Sequence, residues 1–227
     1  MNKSEKPWVS AAPPSRRAVK RNAQIAHGGA QARSVAKPLG ITPTLKHYTS
    51  MPSDAFNEEK ATQACTFFLA QAPGGRMGYI KALKLLYFFE RETLKQTGFP
   101  VLQDELFIMK HGPVLSNTMD LMTEQPMPGE ASIWRDHIQT DGYDLVLKKN
   151  ADLDLLSETD LSILNELWAK FGHLGRWKVV EAADNLPENI VIKKGRLPLS
   201  IKDIFPHFGF SSERAAEQEA EIISNRR

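Results

Sequence analysis

The sequence predicts a mainly α-helical α+β fold, a compact helical domain with a small β-hairpin, preceded by a disordered basic N-terminal arm. Three observations carry that prediction. Apolar residues recur at three- and four-residue spacing in several segments beyond residue 56, an Asp141-Gly142 turn signal separates two short stretches, and residues 1–50 show neither pattern. The arm is placed at 1–50 and the folded domain at 51–227.

Residues 1–47 hold nine Lys/Arg against one acid, Glu5, which leaves twenty Lys/Arg against twenty-six acids in the rest of the chain. The formal charge of +2 therefore hides two halves of opposite sign. The arm is rich in Ala, Gly, Ser, Pro, Arg and Lys and cannot bury enough apolar surface to offset its chain entropy. It reads as a solvated tail, as a basic arm steering toward an acidic partner, or as an upstream extension if Met51 is the true start.

Cys65 is the single cysteine, so an internal disulfide and a cysteine-based zinc site are excluded, which fits a reducing compartment. No apolar run reaches the roughly 18 residues that span a bilayer, and Arg16-Arg17 is followed by polar residues rather than an apolar signal core. A soluble, cytoplasmic protein with no membrane partner is expected.

Ala61, Ala64, Cys65, Phe68 and Leu69 place an amphipathic helix over Glu58 to Gln71, and Pro73-Gly74-Gly75 breaks it. A second helix runs from Tyr79 to Gln96, apolar on most sides and therefore central, with Gly98 as its stop. Residues 105–110 suit an extended segment, and Pro113 at a first helical position is expected to open a helix to Thr123. Ser132 to His137 and Tyr143 to Lys148 are expected to form the hairpin around Thr140-Asp141-Gly142. Ser157 caps a helix whose buried stripe is Leu161, Leu164, Leu167, Trp168 and Phe171, with Gly172 as its stop. Short helices come next at Trp177 to Asn185 and Ser200 to Phe208, and an exposed charged helix, Ser212 to Asn225, closes the chain.

Six scattered histidines without a helical pair or a carboxylate ligand motif argue against a metal site. The loop from Pro73 to Gly78 lacks the Gly-Lys-Ser/Thr ending of a phosphate cradle, and no Gly-x-Ser-x-Gly elbow occurs. Cys65 falls in an apolar stripe, where a thiol is buried and inert. Nothing in the sequence argues for an enzyme, a catalytic residue or a cofactor.

The junction Lys110-His111-Gly112-Pro113 has chemical potential if a helix begins there, because the free N–H groups of a helix start attract acids. A tight turn that Gly112 permits is the plain structural alternative. Lys84 and Tyr87, three apart, share a helix face, where such side chains usually bury their stems and keep their polar ends wet. Trp168 and Trp177 read first as core.

Leu83-Lys84-Leu85-Leu86-Tyr87 on a helix, Gly98, the apolar approach to Lys110-His111-Gly112-Pro113-Val114, and then Leu156-Ser157-Glu158 through Leu164, Trp168, Phe171-Gly172 and Trp177 form an ordered set. Over roughly residues 58–190 this set resembles the Panacea antitoxin domain, also described as SocA-like. The resemblance implies a mostly helical domain that binds and neutralises a small toxin in a bacterial or phage toxin–antitoxin pair. In at least one branch of that family the domain is instead an adaptor that delivers the toxin to an ATP-dependent protease. The chain departs from the family at Ala183-Asp184, where members commonly carry Thr-His, and at Glu188-Asn189, near which they carry Trp.

A partner surface around Lys84, Tyr87, Lys110, His111, Gly112 and Pro113 is accordingly expected. A nucleic-acid contact through Arg16, Arg17, Lys20 and Arg21 is a third, separate possibility, although the arm lacks interleaved aromatics for base stacking.

Overall fold

A computed structural model describes residues 55–124 and 131–225. The expected arm, with Arg16, Arg17, Lys20 and Arg21, lies outside the described residues.

Helix α1, Glu58–Gln71, starts where the Asn57 side chain accepts from the Lys60 amide at 2.9 Å, and it buries Ala61, Ala64, Cys65, Phe68 and Leu69. The Pro73–Gly75 turn leads through strand β1, Arg76–Gly78, into helix α2, Tyr79–Thr97. Every α2 residue from Ala82 to Glu90 is buried, and the helix stops at Gly98, which takes φ 79°.

Strands β2, Leu106–Met109, and β3, Gly112–Leu115, form a hairpin in which Met109 faces Gly112, so Lys110 and His111 are the two turn residues. The expected helix start at Pro113 is thereby corrected. Pro113 is in an edge strand opposite Ile108, a position that tolerates a residue with no N–H to donate. Helix α3, Ser116–Thr123, begins three residues later, because buried Asp104 accepts from the Asn117 and Thr118 amides, both at 2.9 Å.

The second hairpin is displaced from the expected one. Ser132 Oγ accepts from the Arg135 amide at 3.3 Å and caps a one-turn helix, α4, Ile133–His137, so that the strand begins only at Ile138. Strands β4, Ile138–Asp141, and β5, Asp144–Leu147, pair across Gly142-Tyr143, and β1 joins them in the order β1-β5-β4.

Helix α5, Glu158–Phe171, opens with a capping box in which Ser157 and Asp160 each accept from the other's amide. It buries Ile163, Leu164, Leu167 and Phe171, whereas Leu161 and Trp168 are only partly covered. Helix α6, Arg176–Asp184, comes next. The central helix α2 packs against α1, α5, α6 and strand β3. Strand β6, Leu197–Pro198, completes the sheet β3-β2-β6. Helix α7, Ile201–Ile204, continues into a 3₁₀ turn at Phe205–Phe208, and helix α8, Ser212–Ser224, buries Ala215 and Ile222. Among the described residues no helix is long and apolar enough to cross a membrane.

Candidate partner-binding face

Lys84, Tyr87 and Arg91 stand at i, i+3 and i+7 on α2 and form one polar stripe in an otherwise apolar surface. Lys84 and Tyr87 are each 1% exposed, so the expectation that their polar ends reach water is corrected. The ends are satisfied inside the molecule. Lys84 Nζ donates to the Pro113 carbonyl at 2.7 Å, and Tyr87 Oη donates to Glu188 Oε1 at 3.0 Å. Arg91 grips the same carboxylate with Nε to Oε1 at 2.6 Å and Nη2 to Oε2 at 3.1 Å.

Burial lowers the Lys84 ammonium to about 8, with the nearby Asp184 charge pushing the other way. Burial also raises the Tyr87 phenol well above its ordinary value, and Glu188 adds to that rise. Polar groups at this depth are costly unless paired, so the stripe fixes the two parts of the chain that it touches: the first strand residues after the hairpin turn, and the segment after α6.

Gly112 belongs to the same assembly. Its φ is 79°, and a Cβ there would lie 2.5 Å from Asp184 Oδ1 and 3.5 Å from the α6 backbone. The hairpin and the end of α6 therefore meet with no room for a side chain.

The hairpin tip points outward. Lys110 and His111 are exposed, and the His111 ring meets Trp177 edge-on at 6.1 Å. Trp177 is 60% exposed, which corrects its reading as core, and the Arg176 guanidinium lies 5.7 Å from its ring. Of the six residues expected at a partner surface, Lys84, Gly112 and Pro113 come together below it, Tyr87 lies beneath the segment after α6, and only Lys110 and His111 reach the outside. Sequence reasoning missed Arg91, Glu188 and Asp184. Arg91 carried a signal, one turn beyond Tyr87, but Glu188 is 97 residues from Arg91 and had none.

These residues also bear on the chain's kinship. Residues 83–188 match the family described as Antitoxin SocA-like, Panacea domain. The match opens at Leu83, one residue before Lys84, and closes on Glu188, the acceptor of Tyr87 and Arg91. It is narrower than the expected 58–190, leaving α1 and β1 before it and β6, α7 and α8 after it. The Panacea match supports an antitoxin role in general and a toxin as the kind of partner, in a family that is generally not enzymatic. No curated protein and no solved structure matches the chain.

Proposed function

We propose that the protein is an antitoxin that neutralises a cognate small toxin by direct contact, and that the contact is made by Lys110 and His111 at the β2–β3 turn together with Trp177 on α6. The observation that carries this reading is the exposed Trp177 packed edge-on against His111. A large aromatic in water has an unfavourable solvation that a partner relieves, and Trp is among the residues that dominate interface energetics. Rigidity supports it further, because Lys84 ties the hairpin to α2 and Gly112 seats it against the end of α6, and a preorganised face loses little freedom on binding.

The test is co-expression of the adjacent small open reading frame under an inducible promoter, with growth as the readout. Arrest by the neighbour alone, rescue by the wild-type chain, and loss of rescue by His111→Ala with Trp177→Ala at unchanged melting temperature are expected. A neighbour that is harmless when expressed alone refutes the reading. Toxin half-life separates the two modes of action: a direct neutraliser leaves it unchanged or longer, whereas delivery to an ATP-dependent protease shortens it.

A further inference from the structure

A cleft of about 330 Å³ opens between β1, the start of α2 and the turn joining α5 to α6. Met77, Leu174 and Trp168 supply apolar and aromatic lining, and the charged lining comes from Lys81, Arg176 and an Arg76–Asp144 pair.

The charges in this cleft do not balance. Arg76 is matched by two carboxylates, Asp141 and Asp144, the latter at 2.9 Å. Lys81 Nζ donates to two neutral acceptors, the carbonyls of Gly172 and Leu174, each at 2.8 Å, and lies 5.7 Å from the centroid of the Trp168 ring. Burial lowers its pKa, and no carboxylate counters that fall. An ammonium has three donors, so the third N–H of Lys81, on the side of the Trp168 ring, has no oxygen acceptor of its own. Arg176 lies against the Trp177 ring and, among the described residues, forms no ion pair. With Arg76, Lys81 and Arg176 against Asp141 and Asp144, the cleft carries an excess of positive charge beside an aromatic wall, and half-buried Lys81 and exposed Arg176 form no ion pair among the described residues.

We propose that this cleft binds a small oxyanion, a phosphate or carboxylate carried on a flat or apolar body. Arg176 and the remaining Lys81 donor take the oxygens, in the charge-assisted geometry that guanidinium and ammonium groups give to such anions, and Trp168 lines the space for the body. The site adjoins the Trp177–His111 contact through Arg176, but its occupation does not depend on the antitoxin reading.

Titration calorimetry of the full chain at low salt with inorganic phosphate, AMP and benzoate tests it. AMP or benzoate binds at least about tenfold more tightly than inorganic phosphate, since only the first two fill the apolar side, and their ratio tells a phosphate source from a carboxylate source. Two variants assign the binding. Arg176→Glu reverses one of the cations. Gly175→Asp places a carboxylate at the cleft, where an added Cβ meets nothing within 4 Å and the backbone, at φ −65° and ψ 153°, suits any L-residue. That aspartate also caps α6, so the melting temperature holds or rises while anion affinity falls about tenfold. Absence of saturable binding of all three probes by the wild-type chain overturns the proposal, as does affinity that is undiminished in both variants.

Discussion

Replacing Glu90 by Gln is expected to reduce a loss of stability that the wild-type chain shows on going from pH 5 to pH 8. Glu90 is buried on α2, with Oε2 accepting from the Val101 and Leu102 amides at 2.9 and 2.8 Å, while Oε1 has no partner. Burial lifts its carboxyl from 4.5 to about 7, partly opposed by the amide bond from Leu102 and helped by the charge of Asp104. Between those two values the folded chain holds a proton that the unfolded chain has released. The stabilisation is therefore full below pH 4.5 and is lost as pH rises through 7. A displacement of this size is worth about 3 kcal/mol, at roughly 1.4 kcal/mol per unit. About 2.5 kcal/mol of this falls between pH 5 and pH 8, so with a urea dependence of about 2 kcal/mol per molar the wild-type midpoint drops by about 1.2 M. Gln keeps a carbonyl for the two amides and cannot ionise. Buried Asp104, also raised by burial, leaves a slope of the same sign in both proteins. Urea unfolding monitored by circular dichroism at pH 5 and pH 8 decides the matter: an equal midpoint loss in wild type and Glu90→Gln refutes the reasoning.

Glu188→Ala leaves Tyr87 and Arg91 without their shared acceptor and is expected to cost about 3 to 5 kcal/mol in urea unfolding, the scale of a broken buried ion pair. Gly112→Ala forces a side chain onto a φ of 79° and against Asp184, with an expected loss of about 1 to 3 kcal/mol. Adding Asp184→Ala recovers only the steric part, because the backbone strain stays. Cys65 is fully buried and its thiol is pushed well up by burial, so a thiol reagent modifies it at the rate of unfolding in native buffer and immediately in denaturant.

Where local chemistry decided the structure, the sequence was legible. The bounds of α1 are set by its apolar spacing and the Pro73-Gly74-Gly75 break. The end of α2 is set by Gly98, the start of α5 by Ser157, and the inert thiol by its place in the apolar stripe of α1. Two local signals were ambiguous in themselves. Proline suits a first helical turn and an edge strand equally, and only pairing with β2 put Pro113 in the strand. A serine cap and a strand entry compete at Ser132, and there Glu58 Oε1 decides by accepting from Ser132 Oγ at 2.6 Å and from the Trp134 amide at 3.0 Å. The candidate site was legible as a set of residues but not as an arrangement. Lys84 and Tyr87 look amphipathic on a helical wheel, yet acceptors at Pro113 and Glu188, far along the chain, allow their polar ends to be buried. Trp177 lies on a helix whose buried side is Val179, Val180 and Ala183, and nothing in its own spacing told that it faces outward.

The Glu188 carboxylate has a consequence for how the chain can be extended. The family span begins on α2 and ends on a residue that α2 holds by two side chains, so the span is clasped shut where it starts. Arg91, half of the clasp, also lies 4.8 Å from the ring of Phe208, which belongs to the segment beyond the span. One guanidinium thus fastens the domain to itself and docks the C-terminal segment onto it. The segments on either side of the span share its core, through Phe68 and Leu69 before it and Ile204 and Phe205 after it, so the clasp at Glu188 fixes where the C-terminal segment departs while apolar packing seats it.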